Sequence, residues 1–139
     1  MSHKKLIVYT DGGARGNPGP AALGVAIFGA TGKLLAKHGH YLGEQTNNYA
    51  EYSALIFALK EAKRLGGQDV QCFLDSELIV RQMSGQYRVR NKALLPLFEE
   101  VKKLACNFKK ITFQHVPREQ NKVADEMVNA TLDAEQDIA

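Results

Sequence analysis

With 139 residues, 45% of them apolar and 24% charged, the chain has the composition of one globular domain. That length buries about two-thirds of the surface an unfolded chain exposes, enough for a real core. A net charge of +3 permits a polyanionic partner without demanding one, and the apolar run in MSHKKLIVYTDGG is too short for a signal peptide or a membrane span.

Residues 4–10 (KKLIVYT) are short, apolar and β-branched, and predict a strand. DGGARGNPGP at 11–20 has four glycines and two prolines and predicts a loop. AALGVAIF at 21–28 predicts a second strand and KLLAKHGHYL at 33–42 a third. The short gap around Ala30–Gly32 makes these two antiparallel. In 48–64 (NYAEYSALIFALKEAKR), apolar residues at 50, 54, 55, 58, 59 and 62 form a helical stripe that Gly66 and Gly67 end. VQCFL at 70–74 predicts a buried strand, and Ser76 begins a helix to about Met83. SGQYRVRNK at 84–92 is a polar, basic connection. Leu94, Leu97, Phe98, Val101 and Leu104 mark an amphipathic helix, and KITFQHV at 110–116 a last strand. Asn121 can cap a final helix carrying Val123, Ala124, Met127 and Val128. From Asp133 no apolar stripe remains, so a single domain over 1–132 with a flexible tail at 133–139 is expected.

The order is β-β-β-α-β-α-α-β-α. It predicts an α/β fold with one five-stranded mixed sheet, a leading meander, and later strands reached through helical crossovers. Cys72 and Cys106 sit among apolar residues without CxxC or Cys/His metal spacing, so two buried, reduced thiols in a cytoplasmic protein are expected.

Four acidic residues fall at element junctions. Asp11 ends the first strand and Asp75 the fourth, and parallel neighbours would bring both to one sheet edge. Glu51 and Asp125 each lie in the first turn of a helix. Each has an ordinary alternative: Glu51 as half of a capping box with Asn48, Asp75 as a helix cap, Asp125 as a helix-dipole charge, Asp11 as a turn residue. Periodicity alone does not bring the four together. Brought together they would repel one another unless cations bound, and an all-oxygen set without Cys or His calls for a hard ion, Mg²⁺ or Mn²⁺.

The strings YTDGGARGNPGPAALGVAIF, TNNYAEYSALIFAL, LDSELIVRQM and REQNKVADEMVN resemble type 1 ribonuclease H, in order and at fitting spacings, over residues 5–130. The resemblance implies a ribonuclease H-like fold and cleavage of the RNA strand of RNA/DNA hybrids, leaving 5′-phosphate and 3′-hydroxyl ends. It places Asp11, Glu51, Asp75 and Asp125 at the four catalytic carboxylate positions, around two Mg²⁺ ions for which Mn²⁺ can substitute. It puts Asn17, Asn47 and Asn48 on the minor groove, Gly12 near the RNA backbone, and Thr46 and Ser76 in a phosphate pocket for the DNA strand. For Asn47, Asn48 and Ser76, helix capping is the alternative. Glu77 stands where many relatives have glutamine, an acidic group that would weaken backbone contact or alter metal affinity.

Two departures from the family pattern matter. SGQYRVRNK replaces the basic helix and loop by which many relatives grip the hybrid. Arg81, Arg88, Arg90 and Lys92 are then either a reduced phosphate contact or a solvated basic loop, and double-stranded RNA becomes a conceivable second substrate. The mobile loop histidine of the family has no clear counterpart. His115 reads as a strand residue, core-facing or at an edge, and Arg118 in VPREQN is expected to replace the histidine electrostatically, since a guanidinium stays protonated. His38 and His40 read as surface or half-buried strand residues. A monomer with no membrane partner is expected. The competing class, a catalytically silent nucleic-acid-binding module, would be marked by a lost carboxylate, and none is lost.

Overall fold

The computed structural model describes residues 4–138. The strands are β1 (Lys5–Ala14), β2 (Gly19–Gly29), β3 (Leu34–Gln45), β4 (Asp69–Leu74) and β5 (Lys110–His115). The helices are α1 (Asn47–Arg64), α2 (Glu77–Met83), α3 (Leu95–Ala105) and α4 (Lys122–Ile138), the last preceded by a 3-10 turn at Arg118–Gln120. The sheet order is β3-β2-β1-β4-β5, with β1 and β2 antiparallel, β2 and β3 antiparallel, and β4 parallel to both β1 and β5.

The sheet separates two layers by strand alternation. Leu6 and Val8 of β1, with Leu23, Val25 and Ile27 of β2, join Leu55 and Leu59 of α1, Ile79 of α2 and Val101 of α3 in the main core. Ala22, one residue out of phase, instead meets Val128 and Leu132 of α4. Helix α1 lies against the sheet through buried Ala50, Ala54, Ala58 and Ala62, whose small side chains let its backbone come close. The buried Tyr52 hydroxyl donates to Gln82 Oε1 at 2.6 Å and ties α1 to α2. Among the described residues no helix is long and apolar enough to cross a membrane.

Four expectations need correction. The loop expected at 11–20 shrinks to 15–18, because β1 continues through Ala14, paired with β2 from Asp11↔Gly24 to Ala14↔Ala21. Asp11 is therefore inside β1 rather than at its end. What stops there is the parallel ladder to β4, whose last pair is Thr10↔Leu74. The segment from Asp133 is helix to Ile138: it continues α4 past the buried Leu132, and the Arg15 guanidinium donates to Asp133 and Gln136. Cys106 is exposed at the end of α3, whereas Cys72 is fully buried and its thiol is pushed up to about 12 by burial. The fourth concerns Glu51. It lies beyond the first turn of α1, and since Thr46 is the N-cap and Tyr49 the residue three on, Glu51 is no part of a capping box.

Candidate active site

The parallel ladder between β1 and β4 ends at Thr10 and Leu74, so the next residues, Asp11 within β1 and Asp75 just past β4, emerge side by side. Glu51 reaches them from α1 because Gly12 has no side chain. A Cβ there would lie 2.3 Å from the backbone of Ala50 and Glu51. Gly12 thus allows a close approach of the protein's own helix, and the Gly12 N–H donates to Glu51 Oε1 at 3.3 Å. Oxygens of Asp11, Glu51 and Asp75 all lie within 4.8 Å of one another. Asp11 and Glu51 are buried, at 4% and 7% exposure, and Asp75 is half-buried. Asp125, in the first turn of α4, lines the same cleft of about 400 Å³ without belonging to that trio.

The electrostatics are those of a site built for cations. Burial, then the charge of Asp75 and a hydrogen bond with Asp125, push Asp11 up to about 8. Burial, then the charges of Asp11 and Asp75, hold Glu51 well above the usual carboxylate range against the pull of the Gly12 N–H. Glu51 Oε2 is buried with no hydrogen-bond partner. An orphaned carboxylate oxygen within a three-acid cluster fits a hard divalent cation, with Asp11, Glu51 and Asp75 as its holders and Asp125 beside them.

Asn121 is the residue that sequence reasoning undervalued. Expected only as a helix cap, it is 1% exposed, and its amide nitrogen donates to the Thr10 carbonyl at 2.8 Å and to Asp75 Oδ2 at 3.4 Å. It pins the start of α4 to the end of β1 and orients one carboxylate of the trio. Its place at a helix start was legible, but nothing local marked its inward direction.

The remaining site residues divide between the cleft and its surroundings. Asn47 and Asn48 line the cleft with Gly12, Ser76 and Arg118. Asn17 Oδ1 accepts from the Asn47 N–H at 3.0 Å, and Asn47 Oδ1 accepts from the Ala14 N–H at 2.8 Å, so both side chains fasten the 15–18 loop to α1. Thr46 and Ser76 cap α1 and α2, accepting from Tyr49 N and Ile79 N. Glu77 pairs with Arg81 at 2.7 Å, which lowers its pKa, and it borders a neighbouring depression that also contains His115. His115 is therefore an exposed residue at the end of edge strand β5, outside the carboxylate cleft, while Arg118 is inside it. His38 and His40 pack against Phe57 on the far edge of the sheet, away from the acids.

Residues 9–131 match the family described as reverse transcriptase-like. A bifunctional protein of Mycobacterium tuberculosis, Rv2228c, is 40% identical over 131 residues, covering 94% of this chain and 36% of that protein. The solved N-terminal RNase H domain of the same protein superposes with a TM-score of 0.93, covering 98% of this chain and 99% of that one, at 40% identity. Ribonuclease HI of Halobacterium salinarum is 38% identical over 129 residues, 93% of this chain and 65% of that protein. LC11-RNase H1, solved in complex with an RNA/DNA hybrid, is 44% identical with a TM-score of 0.90, covering 94% of this chain and 99% of that one. The chain spans about a third of the length of the mycobacterial relative and just under two-thirds of the haloarchaeal one.

Proposed function

The chain belongs to the type 1 ribonuclease H family, and from that premise we propose that it is a metal-dependent endonuclease cutting the RNA strand of RNA/DNA hybrids to leave 5′-phosphate and 3′-hydroxyl ends. The observation that carries this reading is the trio of carboxylates within 4.8 Å, two of them buried. When bound, two Mg²⁺ ions, or Mn²⁺ in their place, would supply a water nucleophile at neutral pH and neutralise charge on the phosphodiester.

The chain's own residues do the rest. Asp11, Glu51 and Asp75 would hold the cations, together with Asp125, which lines the same cleft. Gly12 N–H and Asn121 fix Glu51 and Asp75 before substrate arrives, so little reorganisation is left for the reaction. Arg118, which lines the cleft, contributes positive charge to the reacting phosphate or the leaving oxygen. The amide oxygens of Asn17 and Asn47 are engaged inside the protein. Their amide nitrogens remain as donors for minor-groove acceptors, where 2′-hydroxyls distinguish RNA, and Asn48 is placed beside them. Ser76 and Thr46, at helix starts, offer N–H groups to the DNA strand's phosphates. Glu77 repels that strand less than a free carboxylate would, because Arg81 is paired with it. We place the enzyme in the cytoplasm as a monomer, the compartment resting on its two free thiols.

The test is cleavage of labelled RNA/DNA hybrid, double-stranded RNA and double-stranded DNA with Mg²⁺, Mn²⁺ or chelator. Metal-dependent cutting of the hybrid's RNA strand is expected. Binding without cutting would favour a silent binding module. Cutting of double-stranded RNA as well would show that A-form shape is read more than strand identity.

A further inference from the structure

Arg15 is a cation of the carboxylate cleft to which the chemistry above gives no role. It lines that cleft, from the short loop between β1 and β2. Its guanidinium donates from Nη1 to Gln136 Oε1 at 2.5 Å and from Nη2 to Asp133 Oδ1 at 2.6 Å, both on the last turns of α4. Its backbone N–H donates to the Pro20 carbonyl at 2.8 Å, and the loop on either side is tied to α1 through Ala14, Asn17 and Asn47. The guanidinium is therefore aimed from a fastened base, with donors left over for a third acceptor. Arg118 enters the cleft just before α4 begins, and Arg15 meets the helix eleven or more residues later, about 16–20 Å along its axis. A polyanionic strand seated in the cleft thus meets two cations set apart along α4, Arg118 and Arg15. The Asp133 carboxylate is 64% exposed and the Arg15 side chain 33%, so the pair adds little to stability by itself and a purely structural role explains it poorly.

We propose that Arg15 is a substrate-positioning residue that takes a backbone phosphate of the bound nucleic acid, and that Asp133 and Gln136 hold its guanidinium in the direction that contact needs. The inference rests on the nuclease reading above. It gives the last turns of α4 a part in substrate affinity.

The test compares Arg15→Ala, Arg15→Lys and the double variant Asp133→Asn/Gln136→Ala in steady-state cleavage of labelled hybrid at several salt concentrations. Thermal unfolding serves as the fold control, and Arg15→Gln replaces Arg15→Ala should that variant not fold. Arg15→Ala raises KM about tenfold, leaves kcat within about twofold, and reduces the salt slope of 1/KM by about one, the signature of one lost phosphate contact. Arg15→Lys restores the slope but not the KM, since the charge remains and the fork is gone. The double variant raises KM about threefold with the slope unchanged. Unaltered KM and slope in Arg15→Ala overturn the phosphate contact. A lowered KM in the double variant overturns the holding role, because Asp133 would then compete with substrate. Failure of the unaltered protein to cut hybrid sinks the nuclease reading instead, and is seen before any variant is made.

Discussion

Replacing Asp11 by Asn tests the electrostatic account of the cleft most directly. The Asp11 carboxyl is pushed from 3.8 up to about 8 in the folded protein. In the unfolded chain the same group loses its proton near its ordinary value. Between roughly pH 4 and pH 8 the folded state therefore binds more protons, and metal-free stability falls as pH rises, by up to about 1.4 kcal/mol per pH unit for this one group. From pH 5 to pH 7 the ceiling is about 3 kcal/mol. Relaxation and solvent entry at the open side of the cleft reduce this to about 1–2 kcal/mol. Asn keeps the shape and removes the charge. In chelator at pH 7 the variant should be more stable than the unaltered protein by about 1–2 kcal/mol, or about 3–8 °C in Tm, and its stability should depend less on pH. Some slope remains, because Glu51 is also raised. Cleavage should be abolished, and Mg²⁺ should raise the Tm of the unaltered protein more at pH 8 than at pH 5. The assay is urea or thermal unfolding in chelator at pH 5, 6, 7 and 8, with hybrid cleavage alongside. Metal-free stability that stays flat from pH 5 to pH 8, or an equal slope in the variant, would refute the reasoning. Gross unfolding of the variant would show that Asp11 is chiefly structural.

Asn121→Ala removes the donor to the Thr10 carbonyl and Asp75; unfolding should show a loss of about 1–3 kcal/mol, and turnover should drop even where the protein remains folded. Gly12→Ala sets a Cβ 2.3 Å from the α1 backbone. Denaturant titration should show a loss above about 3 kcal/mol, and a variant of ordinary stability would mean that α1 gives way easily. Arg118→Ala should lower kcat about tenfold or more with Tm unchanged, since the side chain is exposed. Should His115→Ala be the damaging change and Arg118→Ala harmless, the assignment of Arg118 is wrong.

The element order was legible because strand and helix periods, N-caps and glycine stops are local signals. Leu6, Val8, Ala50, Leu55 and Val101 are core residues by the same phase that predicts their elements. The four acids were legible as junction residues, and the motif strings tied them to one chemistry. What the chain by itself left open has a common cause, contact between residues far apart in sequence. DGGA reads locally as a turn, yet it is strand, because its glycine accommodates a helix 38 residues on. The segment after Leu132 lacks an apolar stripe, yet it is helix, as the continuation of a helix whose Leu132 is buried with Ala22 from the other end of the chain. Asn121 looks like a cap, yet it turns inward to a carbonyl 111 residues away. The choice between His115 and Arg118 depends on which side of the sheet edge each one reaches, a question of tertiary placement that spacing along the chain does not encode. Local propensity determined the parts of this protein and the residues able to do its chemistry; packing decided which of them meet.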